Sequence, residues 1–109
     1  MLATGYPALD AYFEAKNRKD IDAALVPFAE DAVIKDESHT HRGRAAIRAW
    51  IEETTAKYDD TAEPSGVEVE NGRVKVAALV SGNFPGSPAT LHFVFRLDGD
   101  CISHLEIGV

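Results

Sequence analysis

The sequence has 109 residues, so it predicts one compact domain spanning residues 1–109 rather than two. Hydrophobic residues make up 45% of the chain and charged residues 27%, which argues against both a disordered chain and a membrane protein. The net charge is −7 and no basic stripe is visible, so neither nucleic acid nor a membrane is an expected partner.

Cysteine and histidine usage limits the metal and redox chemistry that the chain can support. Cys101 is the only cysteine, which excludes an internal disulfide and a multi-cysteine zinc site. His39 and His41 lie in a polar loop without a convincing third ligand, so no metal site is predicted. No phosphate-binding motif is present, and no cofactor is expected. Residues 1–4 have neither a basic nor an apolar segment typical of a secretory signal, which predicts a cytoplasmic protein.

Helical periodicity dominates the chain up to about residue 58. Side chains recur at spacings of three and four residues between about residues 6 and 17, which predicts a first helix. Its buried stripe consists of Leu9, Tyr12, Phe13 and the stem of Lys16. Asp20 is placed to cap a second helix, which is expected to break at Val26-Pro27 because proline lacks a backbone N–H. The buried side of this second helix is expected to comprise Ile21, Ala24, Leu25 and Phe28.

A short strand, Ala32–Asp36, and a polar loop, Glu37–Gly43, are predicted to lead into a third helix over Arg44–Tyr58. Apolar and polar positions alternate in this segment with a clear helical period, so it is the best-defined helix in the sequence. Its stripe consists of Ile47, Trp50, Ile51, Thr54 and Tyr58.

Strand periodicity dominates after a loop over Asp59–Gly66. Two hairpin turns, Asn71-Gly72 and Asp98-Gly99, divide this part of the chain. The predicted strands are Val67–Glu70, Arg73–Phe84, Ala89–Leu97 and Asp100–Val109. Three helices followed by an antiparallel meander indicate an α+β domain with helices on one face of a curved sheet.

The length of the second turn decides which side chains of the last two strands share a face. A two-residue turn at Asp98-Gly99 predicts one inner face, because side chains alternate along a strand. That face would carry Leu91, Phe93, Phe95, Leu97, Asp100, Ile102, His104 and Glu106. A three-residue loop would instead turn His104 outward. With the two-residue turn, His104 and Glu106 are expected inside an apolar pocket, and Cys101 on the opposite face.

The opposite face of the same strands is predicted to be half apolar, with Val94, Leu105 and Ile107 exposed. This is a large apolar surface for a small domain to leave in water. A homodimer formed through the outer sheet face is therefore expected.

Two sequence segments resemble a known superfamily. Residues 20–33 read DIDAALVPFAEDAV, and residues 41–48 read HRGRAAIR. Together with the order of elements, they are similar to the nuclear transport factor 2-like superfamily, which includes SnoaL-like polyketide cyclases and ketosteroid isomerases. The resemblance covers nearly the whole chain. It implies a cone-shaped α+β barrel, with three N-terminal helices packed on a curved antiparallel sheet.

The resemblance to ketosteroid isomerase also implies a catalytic pair. Tyr12 and Asp36 have the same separation as that enzyme's oxyanion-donating tyrosine and its aspartate base. Phe93 stands where the enzyme has a second, acidic oxyanion donor. His104 and Glu106 are the further catalytic candidates from the predicted inner face. The substrate-binding candidates are Phe93, Phe95, Trp50, Phe84 and Ile102.

These residues predict a cofactor-independent enzyme that removes a proton next to the carbonyl group of a small apolar ligand. Two alternatives remain open: a non-catalytic domain that binds a small apolar ligand, and a dimerisation or protein-interaction module of the same fold. In either case Tyr12 would be an ordinary aromatic residue of the helix stripe, and Asp36 a solvated strand end.

Overall fold

The structure, a computed structural model, describes residues 3–36 and 38–108. Its helices are α1 (Pro7–Asn17), α2 (Ile21–Leu25) and α3 (Arg44–Tyr58). None of these helices in the described part of the chain has the length and apolar character needed to cross a membrane.

The strands form one open, six-stranded sheet. They are β1 (Phe28–Asp36), β2 (His39–Arg42), β3 (Thr61–Glu70), β4 (Arg73–Ser81), β5 (Ala89–Asp98) and β6 (Cys101–Gly108). Their order is β2-β1-β6-β5-β4-β3, and all neighbours are antiparallel except β1 and β6, which are parallel. The predicted α+β class and curved sheet are confirmed. The sheet does not close into a barrel, and it is mixed rather than wholly antiparallel.

The three helices form where the sequence pattern predicts them. Proline occupies the first turn of α1, where its missing N–H removes no helical hydrogen bond. Asp20 caps α2 by accepting a hydrogen bond from the backbone N–H of Ala23 at 3.1 Å. This helix ends just before Val26-Pro27, as predicted. The buried residues of α3 are Ile47, Trp50 and Ile51, all from the predicted stripe.

Strand boundaries differ from the prediction in four main places. In one of them β4 ends at Ser81 rather than at Phe84, and in the other three strand pairing overrides the local signal. Phe28 belongs to β1, where it pairs with Ile102, rather than to the second helix. The predicted loop Glu37–Gly43 contains β2, which pairs with β1. The predicted loop Asp59–Gly66 contains the start of β3, which tolerates Pro64 because it is an edge strand with an irregular register at that point.

The hairpin between β5 and β6 has a two-residue turn, the length of the first alternative, but the turn lies one residue further along the chain than Asp98-Gly99. Asp98 pairs with Cys101, so Gly99 and Asp100 form the turn, and the register then shifts at Ser103. A bulge of one residue moves every later side chain to the other face of the sheet.

The prediction that His104 and Glu106 face the helices is therefore wrong. Both side chains are exposed on the outer face, and Leu105 is buried in the core. Ile107 also packs against the core. Of the apolar residues on which the dimer was predicted, Leu105 is thus buried and Ile107 is half-buried against the core. The homodimer stays a prediction. Of the three residues on which it was based, Val94 is the one that still supports it, and its side chain is half-buried.

Candidate functional site

A cavity of about 620 Å³ opens between α1, α3 and the inner face of the sheet. Most of its wall is apolar. The helix α3 contributes Trp50 and Tyr58, the strand β5 contributes Leu91 and Phe93, and β6 contributes Ile107. A site of this size and character is suited to a small, largely apolar molecule.

Three charged side chains also line the cavity: Lys16, Asp36 and Asp60. Asp36 is the last residue of β1, and α3 crosses beside it. The indole Nε1 of Trp50 donates a hydrogen bond to Asp36 Oδ2 at 3.0 Å. A carboxylate has about four lone-pair sites, and this bond occupies one of them and orients the group.

Asp60 lies between the end of α3 and the start of β3. Lys16 Nζ donates to Asp60 Oδ2 at 2.8 Å, and the two side chains are only 12% and 14% exposed. The other carboxylate oxygen, Asp60 Oδ1, is buried and has no hydrogen-bond partner among residues 3–36 and 38–108. The pair is therefore a largely buried ion pair at the cavity wall.

The end of α1 fixes the position of the Asp60 segment. The side-chain amide of Asn17 donates to the carbonyl of Ala62 and accepts from its N–H, each at 2.8 Å. Lys19 Nζ donates to the backbone carbonyl of Asp60. These bonds attach Asp60 and the start of β3 to the end of α1 and to the turn that follows it.

Gly82 fixes the same segment from the loop that follows β4. A Cβ added at this position would lie 2.7 Å from the carbonyl oxygen of Tyr58 and 2.8 Å from Asp60 Cβ. The next residue, Asn83, donates its N–H to the Tyr58 carbonyl at 2.7 Å. Only glycine lets the loop approach Asp60 this closely.

Tyr12 lies in the aromatic core. Its ring makes edge-to-face contacts with Phe13, Phe28 and Phe95, at centroid distances of 5.3, 5.4 and 6.0 Å. Burial raises the pKa of the Tyr12 phenol far above its usual range, and the negative charges of Asp60 and then Asp36 raise it further. The phenol is therefore neutral at physiological pH.

The structure divides the residues predicted for the site into three groups. Asp36, Trp50, Phe84 and Phe93 line the cavity. The second group is buried in the core and is not among the residues that line it: Tyr12, Phe95 and Ile102. The third group, His104 and Glu106, lies on the outer sheet face, for the reason given above.

Sequence reasoning missed Asp60 because it assigned this residue to a solvated loop. One signal in the sequence could have indicated it. Lys16 lies in the buried stripe of α1. A lysine is rarely buried unless its ammonium group is paired with an acidic side chain. In the described residues, no three histidine, cysteine or acidic side chains lie close enough to hold a metal ion.

The fold is that of ketosteroid isomerase-like proteins. A protein of that fold from Catenulispora acidiphila, solved in complex with trimethylamine, is 20% identical and has a TM-score of 0.81. The match covers 95% of this chain and 86% of that one. A crystal structure from Xanthomonas campestris, of a protein provisionally named a polyketide cyclase, is 23% identical, with a TM-score of 0.78 over 92% of this chain and 85% of that one.

The family model described as the SnoaL-like domain matches residues 9–105, so the chain belongs to the SnoaL-like family. A crystal structure from Sinorhizobium meliloti, of a protein provisionally named a polyketide cyclase, is 39% identical to this chain. It has a TM-score of 0.89, and the match covers 93% of each chain. No curated protein matches the sequence significantly.

Proposed function

We propose that this SnoaL-like domain is a cofactor-independent enzyme that removes a proton next to the carbonyl group of a small apolar compound, with Asp36 as the base. The observation that carries the proposal is the hydrogen bond from Trp50 to Asp36 at the wall of a largely apolar cavity. The name of the Sinorhizobium meliloti relative, which is that of a polyketide cyclase, is consistent with an enzyme of this fold that acts on a carbonyl compound.

The environment of Asp36 suits a general base. Asp36 lies in the wall of a largely apolar cavity, where its carboxylate can face the C–H group of a bound apolar compound. The Trp50 indole fixes the direction of the carboxylate without neutralising its charge, since the donor is uncharged. Asp36 therefore combines a fixed direction with a position in the wall of the cavity.

The assignment of Tyr12 as the oxyanion donor stays a prediction from the family resemblance. Its neutral phenol is able to donate a hydrogen bond. Two observations weigh against it: the side chain is buried among phenylalanines, and it is not among the residues that line the cavity.

A second candidate function is a non-catalytic domain that binds a small apolar ligand. The observation that favours it is that both cavity carboxylates already have partners within the protein, Trp50 for Asp36 and Lys16 for Asp60. Such partners are also what a purely structural role would require.

The experiment that tests the proposal measures hydrogen–deuterium exchange at the carbon next to the carbonyl of 2-tetralone, by NMR in D2O, after calorimetry has shown binding. The protein should accelerate the exchange. Asp36→Asn should lower the acceleration by about 10²–10⁴-fold, the range for loss of a general base. Its free energy of unfolding should change by less than about 1 kcal/mol, because the amide oxygen can still accept from Trp50.

Glu106→Gln is the matched control. It makes the same acid-to-amide change at an exposed residue of the outer face, so the exchange rate should not change. Binding of 2-tetralone without accelerated exchange would favour the binding domain. Accelerated exchange that survives in Asp36→Asn would contradict the role of this residue.

A further inference from the structure

The cavity contains a charged pair that base catalysis by Asp36 does not use. Lys16 and Asp60 form a largely buried ion pair, and both residues line the cavity. Among the lining residues in the described part of the chain, Lys16 is the only cation. Its ammonium has three N–H groups, and its hydrogen bond to Asp60 Oδ2 engages one of them.

The proposed reaction requires a group that stabilises negative charge. Removal of a proton next to a carbonyl places that charge on the carbonyl oxygen, and groups that stabilise it supply much of the catalysis. Tyr12 is poorly suited to this role. Burial raises the pKa of its phenol, and the charges of Asp60 and Asp36, which raise the pKa further, would also oppose a further negative charge beside it.

We propose that Lys16 stabilises the oxyanion in the proposed reaction, and that Asp60 is a positioning residue that holds the Lys16 ammonium at the cavity wall. The substrate is then a carbonyl compound whose oxygen lies at Lys16 and whose acidic C–H faces Asp36. Asp36 takes the proton, the C–H electron pair forms a carbon–carbon double bond, and the carbonyl π pair moves to oxygen. The oxygen accepts a hydrogen bond from Lys16, which keeps its own protons.

The supports of Asp60 favour a positioning role. Asn17 and Lys19 bind its segment from α1, and Gly82 packs against it from the other side. Burying an ion pair contributes little net stability by itself. A rigid, doubly supported carboxylate instead fixes the direction of the lysine that it pairs with.

The test uses 2-naphthol as a probe, because its anion resembles an enolate and absorbs at a different wavelength from the neutral form. The measured quantity is the ratio of anion to neutral naphthol when bound, at fixed pH. All variants carry Asp36→Asn, which removes the charge of the base and mimics its protonated form. This inference rests on the proposed function, but the ratio does not depend on whether Asp36 catalyses exchange.

Lys16→Met should lower the ratio by about tenfold or more, the effect expected for removing a cation within about 4–6 Å. Asp60→Asn should raise the ratio, because the amide oxygen can still accept a hydrogen bond from Lys16 and hold it in place while the competing negative charge is removed. A merely structural pair would leave the ratio unchanged in both variants. Tyr12→Phe should leave the ratio within about twofold.

A double variant, Lys16→Met with Asp60→Leu, keeps the proposal testable if the single lysine variant does not fold. It replaces the pair with apolar side chains of similar size, which proteins commonly tolerate. Its ratio should fall as for Lys16→Met. An unchanged ratio on loss of Lys16, a fall in Asp60→Asn, or a tenfold fall in Tyr12→Phe would each overturn the proposal. So would failure of 2-naphthol to bind.

Discussion

The two acidic side chains of the cavity are held by different kinds of partner. Asp36 ends β1 and accepts a hydrogen bond from the uncharged indole of Trp50. Asp60 follows α3 and is ion-paired with Lys16. A carboxylate with a neutral donor keeps its charge available for a substrate proton, whereas an ion-paired carboxylate is largely neutralised by its partner. Two acidic residues in one cavity therefore differ in electrostatic environment, since one accepts a hydrogen bond from an uncharged indole and the other is paired with an ammonium group.

The largest effect on stability is expected from Lys16→Met. It leaves the Asp60 carboxylate largely buried without its cation, and removal of one partner of a buried pair costs several kcal/mol. We expect the free energy of unfolding, measured by urea denaturation, to fall by roughly 2–4 kcal/mol, because part of each side chain remains exposed. The double variant with Asp60→Leu should recover most of the loss. Equal free energies of unfolding for Lys16→Met and the wild type would show that the Asp60 carboxylate does not depend on a charged partner, and the contrast with Asp36 would fail.

A smaller effect is expected from Gly82→Ala, which displaces Asp60 but not Asp36. The added Cβ would meet backbone atoms of Tyr58 and Asp60 that cannot rotate away. We expect a loss of about 1–3 kcal/mol in the free energy of unfolding, as for other overpacked sites. Gly66→Ala is the matched control, because the nearest atom to its Cβ would be Ala77 Cβ at 4.0 Å, an ordinary contact. Equal losses in the two variants would refute the close packing at Asp60.

The smallest effect is expected from Tyr12→Phe and appears only at alkaline pH. Burial and the charges of Asp60 and Asp36 place the folded-state pKa of Tyr12 above its ordinary value of 10.0. Above about pH 10 the unfolded chain loses this proton and the folded chain keeps it, so the free energy of unfolding falls by about 1.4 kcal/mol per pH unit. Urea denaturation between pH 9 and about 11 should show a shallower decline in Tyr12→Phe. Parallel declines would mean that neither burial nor the two carboxylates raise the pKa of Tyr12 in the folded protein.

The sequence by itself determined the helices and the fold class. The stripes of α1 and α3 repeat with helical period over many residues, so local burial and local conformation require the same structure. Of the residues predicted for the site, Trp50, Phe84 and Phe93 line the cavity, and so does Asp36, which the family resemblance supplied. The family resemblance suggested candidates for the residues that act on a ligand, and it left open whether they do.

Only the tertiary structure decided which side chains of β6 face the cavity and which acid joins Asp36 there. The bulge at Ser103 reverses the faces of His104, Leu105 and Glu106, and it depends on pairing with β5 and β1 rather than on local sequence. Asp60 meets Lys16 across 44 positions of the chain, through contacts between α1 and β3. A local pattern can predict that a lysine needs a partner, but the identity of that partner follows from long-range packing.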